Sequence, residues 1–94
     1  MTSIGLLTLD LHLPYAHSLK DKRQVLLRVK DRLRGKFNVA VAELDHQDLW
    51  QRGLLGVVSI SSSEANLRQV LEGAQREAEH LLGGDLAASA IEIL

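Results

Sequence analysis

The residues with the most evident chemistry form a run of cations between positions 20 and 36. This segment holds eight basic residues against two acidic ones, a net charge of +6. The rest of the chain carries three basic and ten acidic residues, a net charge of −7, so the molecule is expected to be dipolar. Clustered lysine and arginine neutralise phosphates in nucleic-acid-binding proteins. The candidate nucleic-acid-binding residues are Lys20, Lys22, Arg23, Lys30 and Arg34.

The basic segment could also have one of two roles that involve no nucleic acid. A surface helix carries charged residues wherever its outer face is solvated. Alternatively, the cations form ion pairs that anchor the helix to acidic strands and loops. Lys20, Lys22 and Arg23 lie in the first turn of the predicted helix, where the helix dipole disfavours positive charge. This placement indicates either binding or anchoring, and the sequence leaves both open.

A second group of candidate residues combines carboxylates with imidazoles. Three carboxylates flank His46 within residues 43–48, and Asp10 and His12 are predicted to lie nearby. Such side chains bind divalent metals or exchange protons, which would suit a metal-dependent hydrolase. Their spacing matches no metal motif, so this function is the least favoured. The alternative is that these are ordinary polar loop residues, with Glu43 and Asp45 pairing with the basic helix or with a neighbouring strand.

Several motifs of enzymes and cofactor sites are absent from the sequence. There is no glycine-rich phosphate loop and no nucleophile elbow. The chain has no cysteine, which excludes disulfides, thiol catalysis and cysteine-based metal sites. It also lacks the paired strand aromatics on which RNA-recognition sheets stack bases. These absences favour a binding role over an enzymatic one without deciding between them, and we predict no cofactor or metal.

Local patterns in the first half predict how the basic segment is positioned. Residues 4–13 alternate with a period of two, which indicates a strand, and Pro14 ends it. Ser18 is a good helix N-cap with an acidic residue three positions later. The helix is predicted at about 19–34, with Gly35 as its stop.

The second half completes the pattern of one small domain over residues 1–94. Strands are predicted at 37–44 and 54–61, then a helix capped within Ser61–Ser63, then a strand at 86–94. The order βαββαβ predicts an α/β sandwich of the ferredoxin-like type. Its four-stranded antiparallel sheet has the strand order 4-1-3-2 and two helices on one face.

The sheet face without helices is predicted to be open and mainly small or apolar. Its expected residues are Thr8, Asp10, His12, Ala40, Ala42, Gly56, Ala88 and Ala90. An apolar open face suggests that another molecule covers it, often a second copy of the chain. A homodimer, or another protein interaction through this face, is therefore the main alternative to nucleic-acid binding.

Trp50 is the single tryptophan and lies in a polar loop. An aromatic side chain there either anchors the loop on the core, which is the favoured interpretation, or marks a recognition site.

Three blocks of sequence carry a family resemblance. They are SLKDKR at 18–23, FNVAVAE at 37–43 and DLWQ at 48–51. Over about residues 3–94 the chain resembles the YlxP-like family of small bacterial proteins, a domain of unknown function. The resemblance implies a ferredoxin-like fold but no known activity, cofactor or catalytic residue. Members are often encoded beside translation and ribosome-maturation factors, which implies a role linked to the ribosome or RNA.

The resemblance also marks positions to examine. They are Ser18, Lys20, Lys22, Arg23, Glu43 and Trp50, of which Ser18, Glu43 and Trp50 are candidate interaction residues. The favoured function is a non-enzymatic binding module whose partner is ribosomal RNA or a ribosomal protein. A cytoplasmic location is expected, with no membrane partner, because no apolar run is long enough to span a bilayer. Arginine outnumbers lysine seven to four, a composition that leans towards a heat-tolerant source.

Overall fold

The computed structural model describes residues 1–94 and contains four strands and two long helices. In chain order they are β1 (Ser3–His12), α1 (Leu19–Lys36), β2 (Ala40–Asp45), β3 (Arg52–Ser61), α2 (Glu64–Leu82) and β4 (Leu86–Ile93), with a 3₁₀ turn at Gly83–Asp85. The strands form one antiparallel sheet in the order β2-β3-β1-β4, which is the predicted order viewed from the other edge. The predicted ferredoxin-like fold is confirmed.

The sequence patterns predicted the N-terminal end of α1 correctly and its C-terminal end incorrectly. Ser18 caps the helix as predicted, because its Oγ accepts a hydrogen bond from the N–H of Asp21 at 3.0 Å. The prediction that Gly35 stops the helix is wrong, since α1 continues to Lys36. Phe37 ends it instead: its N–H donates to the Leu33 carbonyl at 2.9 Å, and its ring packs against the core.

The core lies between the sheet and both helices. The odd-numbered leucines of β1 are fully buried, which confirms the period-two pattern. They meet one apolar face of each helix, represented by Leu33 on α1 and Leu71 on α2. Gly5 lets α2 approach β1 closely, because a Cβ at that position would lie 2.6 Å from Leu71 Cδ1.

The hairpin between β2 and β3 differs from the prediction at both of its strand starts. The strand β2 begins at Ala40 rather than 37, and β3 begins at Arg52 rather than 54. The connecting loop, residues 46–51, starts at His46 in a left-handed conformation with φ of 65°. Gln51 ties this loop to the end of β1, because its carbonyl accepts from the N–H of Leu13 at 2.9 Å.

Two ion pairs join the second half of α1 to α2. Glu77 lies 3.0 Å from Arg32 NH1 and 3.0 Å from Lys36 Nζ, and its side chain is only 12% exposed. The hydrogen bond from Lys36, more than that from Arg32, holds the pKa of Glu77 below its ordinary value of 4.5 despite some desolvation. Glu77 therefore stabilises the helix pair in its ionised form.

Replacing Glu77 by glutamine is expected to lower the melting temperature at neutral pH. A carboxyl whose pKa is depressed by folding adds stability above its unfolded pKa, and that stability is lost as the pH falls through the folded pKa. The difference in melting temperature between the wild type and Glu77→Gln should therefore be constant at neutral pH. It should disappear as the pH falls below about 4.5. Thermal unfolding from pH 7 to 2.5 tests this, with Glu72→Gln as the control. A gap that persists at the acid end would show that the loss comes from packing and not from charge.

Candidate nucleic-acid interface on helix α1

Lys22 does not join the exposed basic surface. Its side chain is 1% exposed. Its Nζ donates to the carbonyl oxygens of His46 at 2.7 Å, Arg52 at 3.3 Å and Gln47 at 3.4 Å. The Lys22 ammonium group on α1 thus binds two backbone carbonyls of the β2–β3 loop and one at the start of β3.

Glu43 supplies the opposite charge to Lys22. It lies on the side of β2 that faces α1, and its Oε2 is 3.0 Å from Lys22 Nζ. No donor of the chain is aligned for a hydrogen bond to this oxygen, although Lys22 Nζ is the nearest cation. The contact is therefore an ion pair in a partly buried setting.

This geometry corrects the candidate set at Lys22. A buried ammonium with four oxygen neighbours is not available to a phosphate in this conformation. The anchoring role that the sequence left open is the one that Lys22 and Glu43 have. The helical periodicity contains the missed signal: Lys22 precedes Leu26, Val29 and Leu33 at i+4, i+7 and i+11, the spacing of the buried face.

The other four candidate cations share one side of α1. Lys20, Arg23, Lys30 and Arg34 are separated by three, seven and four residues, which places them on one face of a 3.6-residue helix. We call this set the basic stripe. Lys30 is half-buried and the other three are exposed. The stripe spans about 21 Å along the helix axis.

The residues of the basic stripe form no close contacts with acidic side chains. None of its four residues forms an ion pair or a side-chain hydrogen bond. Arg32 and Lys36, by contrast, bind Glu77 on the flank of α1 that faces α2. Of the remaining cations of α1 only Arg28 is also unpaired, and it lies off the stripe. The positive charge of the stripe is therefore directed at solvent.

A groove runs beside the stripe between α1 and β2, the edge strand of the sheet. It has a volume of about 250 Å³ and is lined by Arg23, Leu26, Leu27, Lys30 and Glu43. Leu27 is 57% exposed at the centre of the stripe, an exposure that the sequence patterns did not identify. The groove thus combines two cations, the Glu43 carboxylate and an apolar surface.

The three candidate interaction residues have different settings. Ser18 is the N-cap of α1 and Glu43 pairs with Lys22, so both have structural roles. Trp50 is 51% exposed and lies outside the core cluster, so the favoured interpretation that it anchors the loop on the core is wrong. Leu49 beside it is 47% exposed, which makes the tip of the loop apolar.

The residues of the hydrolase alternative do not converge. Asp10 and His12 lie on the open face of the sheet, whereas Glu43 points to the helix side. Asp10 is 3.6 Å from Arg52 NH2, which already balances its charge. The structure brings together no three side chains of the types that ligate metals.

No helix of the structure has the length and apolar character to cross a membrane.

Comparison with known proteins agrees with the fold and with the sequence blocks. The family model "Protein of unknown function (DUF503)" matches residues 4–90. This chain belongs to the DUF503 family. The "Uncharacterized protein YlxP" of Bacillus subtilis (strain 168) is 44% identical over 57 residues. That match covers 61% of the DUF503 chain and 62% of the relative, so it spans less than two thirds of either protein. The predicted YlxP-like membership is confirmed.

Solved structures share the fold of this DUF503 member at low sequence identity. The "De novo designed protein Foldit4" has a TM-score of 0.57 at 13% identity, over 100% of this chain and 94% of that one. A "dimeric ferredoxin-like protein of unknown function" from Thermobifida fusca YX has a TM-score of 0.52 at 11% identity, over 97% and 90%. At these identities the likeness concerns the fold alone.

Proposed function

We propose that this DUF503 member is a non-enzymatic module that binds ribosomal RNA through the basic stripe. The observation that supports this proposal is the arrangement of the basic stripe: its four residues, Lys20, Arg23, Lys30 and Arg34, share one helix face, and none of them forms an ion pair. Unpaired cations on one helix face repel one another, so their arrangement suits an external polyanion. A ribosomal protein is the other partner consistent with the same charge, if its surface is acidic.

The dimensions of the stripe match a nucleic-acid backbone. A double helix carries one phosphate charge per about 1.7 Å of its axis, so about 21 Å of stripe runs past several phosphates. Each of the four cations can therefore approach a different phosphate. Side chains of this length also adjust to A-form geometry, whose deep major groove excludes direct base reading.

Binding of this kind depends on charge and shape more than on base stacking. The strands carry no Phe, Tyr or Trp on which bases could stack, and Trp50 is isolated in the β2–β3 loop. A ribosomal location of the RNA is supported by the family resemblance, whose members are often encoded beside translation and ribosome-maturation factors. The module would then recognise a folded RNA surface and not a short sequence.

The direct test is co-sedimentation with ribosomes and their separated subunits from the source bacterium across a salt series. Four phosphate contacts predict that the logarithm of the binding constant falls with the logarithm of salt with a slope of about −3. Binding to one subunit should then weaken by roughly two orders of magnitude between 50 and 200 mM salt. No binding at 50 mM salt, or binding insensitive to salt, would contradict the proposal.

A further inference from the structure

The sheet has one large surface that the helices leave uncovered. We call it the open face; along β1 it holds the even-numbered residues from Ile4 to His12. As predicted, Thr8 lies there opposite Gly56 of β3 and Ala90 of β4. Larger apolar side chains that the prediction omitted also lie there, including Leu54, Val58 and Ile60.

The open face exposes four large apolar side chains. Ile60 is 58% exposed, Leu44 48%, Ile4 39% and Val58 37%. Leu44 lies across Gly56, since a Cβ there would be 2.6 Å from Leu44 Cδ1. The Leu44 side chain therefore fills the space that Gly56 leaves on the sheet surface. The result is a continuous apolar surface of the kind that marks an interface.

The charges of the open face select among possible partners. Asp10 and Arg52 pair with each other at 3.6 Å. The other charged or titratable groups of the face are Asp45 on β2, which lies opposite Leu54, Glu92 on β4, and His12 at one end. The face presents no lysine. It therefore offers little to a phosphate backbone or an anionic lipid surface. The carboxylates of Asp45 and Glu92 lie on the edge strands β2 and β4, so the apolar centres of two such faces can meet with these charges at the polar rim.

The size of the face matches what a stable dimer requires. Four strands about 4.8 Å apart and about 20 Å of strand length give a surface of roughly 19 by 20 Å. A second sheet packed about 10 Å away would cover this area on both copies. The two flat faces together cover about 760 Å². Because side-chain relief makes the accessible area larger than the flat area, the area removed is on the order of 1,000–1,300 Å², at the lower end of specific interfaces.

We propose that a second copy of this chain covers the open face, giving a two-fold symmetric sandwich of two sheets with the helices outside. The inference is independent of RNA binding, because the open face and α1 lie on opposite sides of the sheet. It also adds to that function, since each particle would carry two basic stripes on its outer surfaces. Two stripes on one rigid particle raise the affinity for an extended RNA surface by multivalency.

The test is the mass of the purified protein in solution from 1 to 200 μM, measured by light scattering and sedimentation equilibrium. We expect twice the chain mass of 10.4 kDa. Val58→Asp places a charge within the covered face and should weaken the dimer at least a hundredfold, giving a folded monomer at about 10 μM. Ala65→Asp, an exposed site on α2, is the control and should remain dimeric.

A second measurement covers the case in which Val58→Asp does not fold. The chain has no cysteine, so a single Thr8→Cys places one thiol at the centre of the open face. A short thiol-specific cross-linker should join two copies of Thr8→Cys in high yield and should not join Ala65→Cys. A wild-type protein that stays monomeric at 200 μM, or equal cross-linking of the two variants, would overturn the proposal; a different protein found on this face would do the same.

Discussion

Replacing Lys22 by methionine is expected to lower the free energy of unfolding by about 3 kcal/mol or more. The substitution leaves the Glu43 carboxylate without its counter-charge and removes the donor of three backbone carbonyls. Solvent screens this contact little, because the two side chains are 1% and 23% exposed. In a domain of this size such a loss corresponds to a fall in melting temperature of about 15 °C.

Urea denaturation of a double-mutant cycle measures the contribution of the pair. Lys22→Met and Glu43→Gln, alone and combined, should show a coupling energy of about 1–3 kcal/mol, with the double variant more stable than the sum of the single losses predicts. Lys20→Met is the matched control, since Lys20 lies in the same turn, is exposed and has no partner. Its stability should stay within about 0.5 kcal/mol of the wild type. Equal effects of Lys22→Met and Lys20→Met would refute the anchoring role.

The sole tryptophan reports whether Lys22 acts on the loop. Trp50 lies in the loop whose carbonyls Lys22 holds. In folded Lys22→Met, the loop loses these contacts and Trp50 should be more accessible to acrylamide, while Lys20→Met should match the wild type. This comparison separates a local effect on the loop from a general loss of stability.

Neutralising three residues of the basic stripe is expected to reduce RNA binding strongly and to flatten its salt dependence. In Arg23→Gln/Lys30→Gln/Arg34→Gln, each substitution removes about one phosphate contact. The slope of the logarithm of the binding constant against that of salt should therefore become less steep by about 2 to 3. Affinity at low salt should fall at least roughly tenfold, uniformly across RNA sequences.

The matched control removes the same number of charges elsewhere. Arg28→Gln/Arg68→Gln/Arg76→Gln gives the same net charge, and none of its three positions lies on the stripe. Fluorescence anisotropy with a labelled ribosomal RNA fragment, measured from 50 to 300 mM salt, compares the two variants. Similar slopes in both would mean that binding depends on overall charge and that the stripe is not a site.

Much of the architecture was predictable because it depends on contacts between residues close in sequence. The alternation of β1, the Ser18 cap and the apolar stripes of the helices are local patterns, and together they led to the βαββαβ order and the open face. The end of α1 was missed because a distant contact decides it. Phe37 packs on the core beside Gly73, and this anchoring carries the helix past Gly35.

In the candidate site, too, some features follow from local sequence patterns and others only from tertiary contacts. The sequence by itself determined that a strongly basic helix precedes an acidic hairpin, and that four of its cations are spaced to share one face. The spacing also placed Lys22, unlike Lys20, on the apolar face of α1. Only the tertiary structure decided which groups surround Lys22, because the carbonyls and the carboxylate around it come from residues 21 to 30 positions later. The exposure of Trp50 was likewise decided only by the tertiary structure, because composition and spacing are the same whether the loop packs its tryptophan on the core or leaves it in solvent.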